Sequence, residues 1–335
     1  MNPVTVAGAS GRPNLNAPEV WVTVLMPVYN GERYIAQAIE SVLGQTHQAF
    51  EFLIIDDGST DNTRRILAEY ASLDTRIRVV RHANVGQPAT LNRGLSLARH
   101  DWVAIIDHDD AWLPRRLERQ LPVLERVPDV RLVGTWAKEI NAAGVEIGTR
   151  CTGPTSAEEF RAFDAAGQRV PITHPSVLMH RPTVLALGGY DPRFGSAADT
   201  ELWTRVARVS AIVVVPEPLL FYRIHSQSMS FRRMFEQREM LRWIVARDRE
   251  RRRGRRVPSL AQFRAARPLW RLRLWRERQH DLFWFFRSYC LLAVAEGRVV
   301  LSASLAICAA AVAPQNAMRV ARRRLRERLP RVAGA

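Results

Sequence analysis

Residues 102–110, WVAIIDHDD, form an apolar run that ends in three carboxylates within four residues. A short apolar run of this kind predicts a buried strand. Ligands of open α/β sheets bind outside the carboxyl ends of the strands, where Asp107, Asp109 and Asp110 would lie. Carboxylates this close repel one another, and a divalent cation held by oxygen ligands is the simplest way to offset the repulsion. A polar loop or a helix cap would use the same residue types and remains an alternative.

A second acidic strand end supports the first interpretation. The apolar residues 52–55 are followed by Asp56 and Asp57. Four predicted strands alternate with three helices, which is typical of βαβ units and a mostly parallel sheet. The strands are predicted at residues 20–28, 50–55, 77–80 and 102–106, and the helices at 31–44, about 61–70 and 86–99. Strand and helix patterns continue to about residue 222.

Positive charge is concentrated in the last third of the chain. The 335 residues have a net charge of +16, but residues 1–230 have a net charge of −2 and residues 231–335 a net charge of +18. We therefore expect a near-neutral domain over residues 19–230, after a disordered polar leader at residues 1–18. Residues 231–335 are predicted to form a basic, amphipathic, α-helical extension.

Cysteine usage and hydropathy bear on the location of the protein. Cys151, Cys290 and Cys308 lack metal-type spacing, which favours a reducing compartment without disulfides. Residues 1–18 lack the apolar core of a secretory signal. The longest apolar stretch, 299–314, is shorter than the roughly 20 residues that cross a bilayer. We expect a cytoplasmic protein that acts at the inner face of the cytoplasmic membrane if its basic region binds lipid.

Eight short motifs occur in an order similar to that of a known family. The family is glycosyltransferase family 2, whose members have the GT-A fold, with a mostly parallel central sheet flanked by helices. Any single motif is weak evidence, but eight in order over residues 20–230 make the resemblance specific. The motifs are 26–30 (MPVYN), 56–61 (DDGSTD), 84–86 (NVG), 107–110 (DHDD), 174–177 (HPSV), 188–191 (GGYD), 199–205 (DTELWTR) and 222–225 (YRIH).

The resemblance implies a nucleotide-diphosphate sugar as donor, with a UDP-sugar favoured. Asp57 would accept hydrogen bonds from the base or the ribose. A turn with a helix cap would use the same residue types at 56–59, and this alternative is strong for the motif taken alone. The residues that the resemblance assigns to the donor are Pro27, Tyr29, Asn30, Asp57, Asn84, Gly86 and Asp107.

A divalent metal is the cofactor that the resemblance implies. Mg²⁺ or Mn²⁺ would bridge carboxylate and diphosphate oxygens and neutralise the leaving group. Asp109 is the first candidate ligand, and Asp107 and His225 are further candidates. The sequence leaves open which of Asp107, Asp109 and Asp110 contacts the metal. His108 is an unusual residue at its position. It could be a ligand, but a histidine that neighbours the ligands or faces solvent is the favoured interpretation.

The resemblance assigns Asp199 as the catalytic base. It would deprotonate the acceptor hydroxyl, which attacks the anomeric carbon in one displacement with inversion. The usual family pattern is Glu-Asp where this chain has Ala198-Asp199, which puts acceptor contacts in doubt more than catalysis. Asp199 as a simple helix N-cap is the competing interpretation. His174 is a secondary candidate.

The family motifs end before residue 231, so the basic extension is interpreted from composition. Arginines interleaved with Trp, Phe and Leu suit an interfacial helix on anionic lipid, and a peripheral membrane contact would fit a lipid-linked acceptor as well as a saccharide. The competing interpretation is a helical appendage packed on the catalytic domain. No motif of specific nucleic-acid binding accompanies the arginines.

The predicted function is inverting sugar transfer to a hydroxyl in bacterial surface polysaccharide or glycolipid assembly. The main alternative is a non-catalytic nucleotide-sugar-binding or scaffold protein with a basic membrane-binding tail, which the retained Asp57, Asp109 and Asp199 disfavour. A nucleotidyltransferase would normally have a glycine-rich basic loop after the first strand, where this chain has YNGE at 29–32. A dehydrogenase would have Gly-x-Gly-x-x-Gly there.

Overall fold

The first half of the sheet forms as the alternation of patterns predicts. The computed structural model describes residues 20–266, 271–318 and 320, so the predicted leader at 1–18 lies outside the described residues. The first four strands are parallel in the order β3-β2-β1-β4, and their carboxyl ends therefore meet at one edge. The elements are β1 (Val22–Val28), α1 (Ile35–Leu43), β2 (Phe50–Asp56), α2 (Thr63–Leu73), β3 (Ile77–Arg81), α3 (Gln87–Leu97) and β4 (Trp102–Ile105).

The second half of the sheet mixes strand directions. The order continues from β4 through β8, β6 and β9 to β5, and β7 pairs with β6. Strand β8 is antiparallel to both β4 and β6, whereas β6 and β9 are parallel. The elements are β5 (Ala111–Trp112), α4 (Arg116–Arg126), β6 (Val130–Ile140), β7 (Glu146–Arg150), α5 (Ala157–Ala165), β8 (Leu178–His180), α6 (Arg181–Ala186), α7 (Ala198–Val206) and β9 (Ala211–Arg223), with 3₁₀ turns at His174–Ser176 and Pro192–Ala197.

The C-terminal region is helical, as the sequence predicts. No helix in the described part of the chain combines the length and the apolar character that crossing a membrane requires. The boundary placed at residue 230 remains a prediction. The helices are α8 (Met229–Arg232), α9 (Met234–Arg252), α10 (Leu260–Ala265), α11 (Arg271–Ala295) and α12 (Val299–Val312).

Two hydrophobic clusters cover the two faces of the sheet. Strand β1 is buried along its whole length, and Val24 belongs to one cluster while Leu25 belongs to the other. Burial on both faces is typical of strands in a parallel sheet covered by helices. Helix α9 adds Trp243 to the second cluster, where its ring stacks on Phe194 at 4.6 Å between centroids. The start of the basic extension is therefore packed against the sheet domain.

Candidate functional site

One cleft of about 1350 Å³ opens at the edge where β1, β2 and β4 end. It brings together all the residues that the sequence nominates for donor, metal and base, although they come from segments up to 198 positions apart in number. Those residues are Pro27, Tyr29, Asn30, Asp57, Asn84, Gly86, Asp107, Asp109, Asp199 and His225.

The loops after β1 and β2 are tied to each other by side chain to backbone hydrogen bonds. Asn30 has a φ of 53°, a left-handed conformation that asparagine tolerates better than most residues. Its amide N–H donates to Ser59 Oγ at 3.0 Å, and its Oδ1 accepts from the Thr60 N–H at 2.8 Å. Tyr29, 45% exposed, stands beside this anchored turn in the cleft wall.

Asp57 has a structural function that the sequence motif does not reveal. Its two carboxylate oxygens accept from the Val85 N–H at 2.8 Å and the Gly86 N–H at 3.0 Å, and the residue is buried. The carboxylate therefore holds the Asn84–Gly86 turn in place. A ligand would be left with the remaining lone pairs of the same oxygens.

The carboxylates of Asp107, Asp109 and Asp110 form a compact cluster, with one oxygen of each within 4.8 Å of the others. Asp109 Oδ2 lies 2.9 Å from His225 Nε2. Asp110 Oδ1 accepts from the Arg223 N–H at 2.8 Å, while its buried Oδ2 has no hydrogen-bond partner among the described residues.

Electrostatics distinguish the members of this cluster. Burial and the charges of Asp109 and Asp107 raise the pKa of Asp110 well above its usual range. Burial also acts to raise the pKa of Asp109, but hydrogen bonding to His225 and the charge of His108 outweigh it and leave that pKa lowered. A hard divalent cation fits this donor set. It would give the buried Asp110 Oδ2 a partner and would offset the repulsion among the three carboxylates.

His174 lies between two carboxylates of the cleft. Its Nδ1 is 3.8 Å from Asp107 Oδ1, and its Nε2 is 3.0 Å from Tyr190 Oη. Burial acts to lower the pKa of His174, but Asp107 and Asp199 outweigh this effect and the pKa is raised. Gln87 Nε2 also donates to Asp107, at 3.2 Å.

Asp199 is the second residue of α7, whose N-cap is Ala197. Its carboxylate accepts from the adjacent Thr200 N–H at 2.6 Å, which is not the capping pattern of an N-cap side chain. Burial raises the pKa of Asp199, and the charge of His174 partly opposes that effect. Asp199 is therefore not the N-cap residue of α7, and its role as a base stays a prediction.

Arg223 lines the cleft. It belongs to the motif at residues 222–225, but no role was predicted for it from the sequence. Its side chain donates to the Asp109 carbonyl at 2.8 Å, the Asn141 carbonyl at 3.1 Å and Gln37 Oε1 at 2.6 Å. The guanidinium also lies 4.4 Å from the ring centroid of Tyr34. Arg223 thus joins the acidic cluster to α1 and to the loop after β6.

Arg150 enters the cleft from β7, outside every family motif. It pairs with Glu139 at 2.9 Å and lies 4.3 Å from the ring centroid of Tyr222. No sequence signal identified it, because its position depends on the pairing of β7 with β6.

Arg116 supports the cleft from beneath. It is completely buried and donates to the Ile105 carbonyl at 3.1 Å, the Pro175 carbonyl at 2.7 Å and the Val177 carbonyl at 3.0 Å. Gln120 accepts from its Nε at 3.0 Å. Arg116 therefore ties the strand that ends before Asp107 to the turn that carries His174.

His108 packs against the turn after β1. A Cβ on Gly31 would lie 2.7 Å from the His108 ring and 2.8 Å from Val28 Cγ2. The His108 ring can therefore occupy this position only because residue 31 is a glycine, which has no side chain. This contact agrees with the interpretation of His108 as a neighbour of the site.

Comparisons with solved structures define the class of the fold. The chain matches a crystal structure of residues 1–349 of S. aureus TarS with a TM-score of 0.53 and 15% identity, over 88% of this chain and 92% of that one. Related TarS structures contain UDP or UDP-GlcNAc. The mannosyltransferase PcManGT from Pyrobaculum calidifontis, in complex with GDP-Man and Mn²⁺, matches with a TM-score of 0.55 and 18% identity, over 89% and 82% of the two chains. The fold is therefore that of a GT-A glycosyltransferase.

Sequence comparisons identify the family. The model of glycosyl transferase family 2 matches residues 23–173. EpsE of Bacillus subtilis, which carries a glycosyltransferase name, is 36% identical over 188 residues, covering 55% of this chain and 66% of EpsE, just under two thirds of its length. TuaG of the same species, named for teichuronic acid biosynthesis, is 44% identical over 101 residues, covering 30% of this chain and 40% of TuaG. Residues 23–173 therefore form a glycosyltransferase family 2 domain.

Proposed function

We propose that this protein transfers a sugar from a nucleotide-diphosphate donor to a hydroxyl acceptor, with inversion at the anomeric carbon. The observation that carries the proposal is the single cleft that holds the anchored nucleotide loops, the three-carboxylate cluster and Asp199. Family membership supports the reaction class, while the donor, the acceptor and the stereochemistry are inferred from the residues.

The donor's nucleoside would lie against Tyr29, Asn30 and Asp57, where two loops are already fixed by hydrogen bonds. Exposed Tyr29 offers a ring face for a base, and the remaining Asp57 lone pairs can accept from the base or the ribose. We propose a UDP-sugar. The GDP-mannose bound by PcManGT makes GDP the comparison to test.

The diphosphate would lie at the acidic cluster. Mg²⁺ or Mn²⁺ bound there would supply charge neutralisation for the departing nucleoside diphosphate. Asp109 and Asp107 are the proposed ligands, and His225 is either a third ligand or the group that orients Asp109. The lowered pKa of Asp109 keeps this carboxylate ionised, as a ligand must be.

Asp199 would take the proton from the acceptor hydroxyl. Its oxygens are engaged by the N–H and the side chain of Thr200, and its raised pKa makes it a better proton acceptor than a freely solvated aspartate. The raised pKa of His174 favours its protonated form beside Asp199 and Asp107, and a positive charge there lowers the pKa of Asp199.

The class of acceptor and the cellular location of the protein depend on features outside the cleft. We propose a saccharide or lipid-linked acceptor in surface polysaccharide or glycolipid assembly, supported by the name of TuaG. The net charge of +18 over residues 231–335 and the exposed Val300, Leu301 and Ile307 of α12 support peripheral contact with anionic lipid at the cytoplasmic face. Cosedimentation with phosphatidylglycerol vesicles, but not phosphatidylcholine vesicles, tests this contact.

Calorimetric titration of the full chain with UDP, GDP and dTDP, each with and without Mn²⁺, tests the function. We expect metal-dependent binding of one nucleotide that is lost in Asp109→Ala. Asp129→Ala, at an exposed aspartate outside the cleft, is the control and should bind as the unmodified protein does. Folded protein that binds none of the three nucleotides would contradict the proposal and favour a non-catalytic role.

A further inference from the structure

A second, smaller pocket of about 270 Å³ lies on the other side of α7 from the catalytic cleft. Three segments form it: residues 164–170 after α5, the α7 residues Thr200 to Ala207, and the second half of α9. Its apolar floor consists of Val170, Trp203, Ala207 and Val245. None of these segments supplies a proposed donor or metal residue.

The polar wall of this pocket has an excess of positive charge. Four arginines and two aspartates line it. Arg252 forms salt bridges with both aspartates, Asp164 and Asp248, so the two negative charges that line the pocket are already paired. Arg169, Arg249 and Arg253 remain on the wall.

These three arginines are weakly compensated. Arg249 and Arg253 lie 3.4 and 3.7 Å from the same Glu250 carboxylate, and the two arginine side chains are 57% and 54% exposed, so each pair contributes little. Arg169 has no carboxylate within salt-bridge distance in the described part of the chain, although its charge interacts with those of Asp199 and Arg238. An anion would therefore be attracted to this wall.

Trp203 separates the pocket from the catalytic cleft. It is 2% exposed, and its Nε1–H has no hydrogen-bond partner among the described residues. The indole lines the pocket and also stacks on His174, with ring centroids 6.2 Å apart and planes inclined by 28°. Asp199 lines the cleft and the next residue, Thr200, lines the pocket. A ligand in the pocket would touch the helical turn that carries the proposed base.

We propose that this pocket binds the phosphate group of a phosphorylated saccharide other than the donor nucleotide. Three under-compensated arginines supply the anion recognition, and exposed Val245 with half-buried Ala207 offers an apolar surface for a sugar ring face. Either the acceptor carries this phosphate, or a free sugar phosphate binds as an effector. The link to Asp199 rests on the proposed function, whereas binding of the anion does not.

Titration calorimetry of the full chain with inorganic phosphate tests the site. We expect the affinity for phosphate to fall at least tenfold in Arg249→Gln/Arg253→Gln. The fall should be less than twofold in Arg161→Gln, an exposed arginine of α5 outside the pocket. Ala207→Leu, which fills the apolar floor without removing charge, should weaken glucose 1-phosphate binding more than phosphate binding. Equal affinities in the double variant and the Arg161 control would overturn the proposal.

Transfer assays separate the two sources of the phosphate. If the acceptor supplies it, the double variant raises KM for a phosphate-bearing acceptor at least fivefold and leaves KM for its dephosphorylated form unchanged. If an effector supplies it, added glucose 1-phosphate changes kcat of the unmodified protein and has no effect on the double variant. A double variant with unchanged kinetics in both assays would contradict the link to Asp199. Failure of every acceptor would count against the proposed function, while the phosphate titration would still decide the pocket.

Discussion

The proposed donor and acceptor halves of the cleft are built differently. On the donor side, Asp57 and Asp110 are held by backbone N–H groups from other elements, at Val85, Gly86 and Arg223. On the acceptor side, the Asp199 carboxylate bonds to the N–H of its own neighbour. The donor side is therefore fixed before a ligand arrives, whereas the acceptor side keeps its carboxylate available for chemistry. Variants on the two sides should accordingly fail in different ways.

Asp199→Asn should produce the largest effect, since it removes the proposed base and preserves the shape of the side chain. We expect the transfer rate to fall by about 10²–10⁴-fold, the usual contribution of general base catalysis, while nucleotide affinity changes less than twofold. Nucleotide release assays and calorimetry measure the two quantities. Asp101→Asn, at an exposed aspartate, is the control. Equal transfer by both variants would remove Asp199 from the mechanism.

Asp57→Ala should damage stability and donor binding together. It removes two charge-assisted hydrogen bonds between the buried carboxylate and an exposed turn, and we expect the free energy of unfolding to fall by about 1.5–3 kcal/mol. Nucleotide affinity should fall at least tenfold because the Asn84–Gly86 turn is released. Urea unfolding and calorimetry provide the measurements, with Asp101→Ala as the control. A stability loss with intact nucleotide affinity would restrict Asp57 to a structural role.

Gly31→Ala tests how tightly the donor side is assembled. The new Cβ would overlap the His108 ring and Val28, and overpacking of this kind costs about 1–3 kcal/mol. In the double variant Gly31→Ala/His108→Ala, part of that loss should be recovered. Unfolding of the four proteins in the mutant cycle gives the coupling energy. Strict additivity would show that residues 31 and 108 do not constrain each other.

The pH dependence of transfer should report the acceptor side. The raised pKa of Asp199 means that the base becomes protonated at a higher pH than an ordinary aspartate, so kcat/KM should decrease as the pH falls through that raised value. The charges that face Asp199 are those of His174, Asp107 and Arg169. His174→Gln removes a positive charge that lowers the pKa of Asp199, and the acidic limb should move to higher pH. An unchanged limb would exclude Asp199 as the titrating group.

The sequence predicted the first half of the sheet well because the information for it is local. Apolar runs that end in Asp57 or Asp107 specify both a strand and the edge at which the side chains emerge, and a parallel sheet then places the edges together. The four N-terminal strands were located within about two residues on this basis.

Long-range topology explains what the sequence could not reveal. Arg150 reaches the cleft only because β7 pairs with β6, and Trp203 becomes a wall between two cavities only because α7 and α9 pack together. The structural use of Asp57 also escaped prediction, since its partners at 85 and 86 follow a different strand. Neither periodicity nor a short motif encodes these contacts.

The buried Arg116 has a consequence for how the chain can be divided. Two of its backbone acceptors, at Pro175 and Val177, lie beyond residue 173, where the family match ends. A fragment cut there would retain the Ile105 and Gln120 acceptors and leave a guanidinium half-paired inside an apolar interior, which is costly. Such a fragment should be recovered as insoluble or protease-sensitive material even though it contains the entire acidic cluster. The smallest stable fragment of this chain that contains the acidic cluster should therefore extend beyond residue 173.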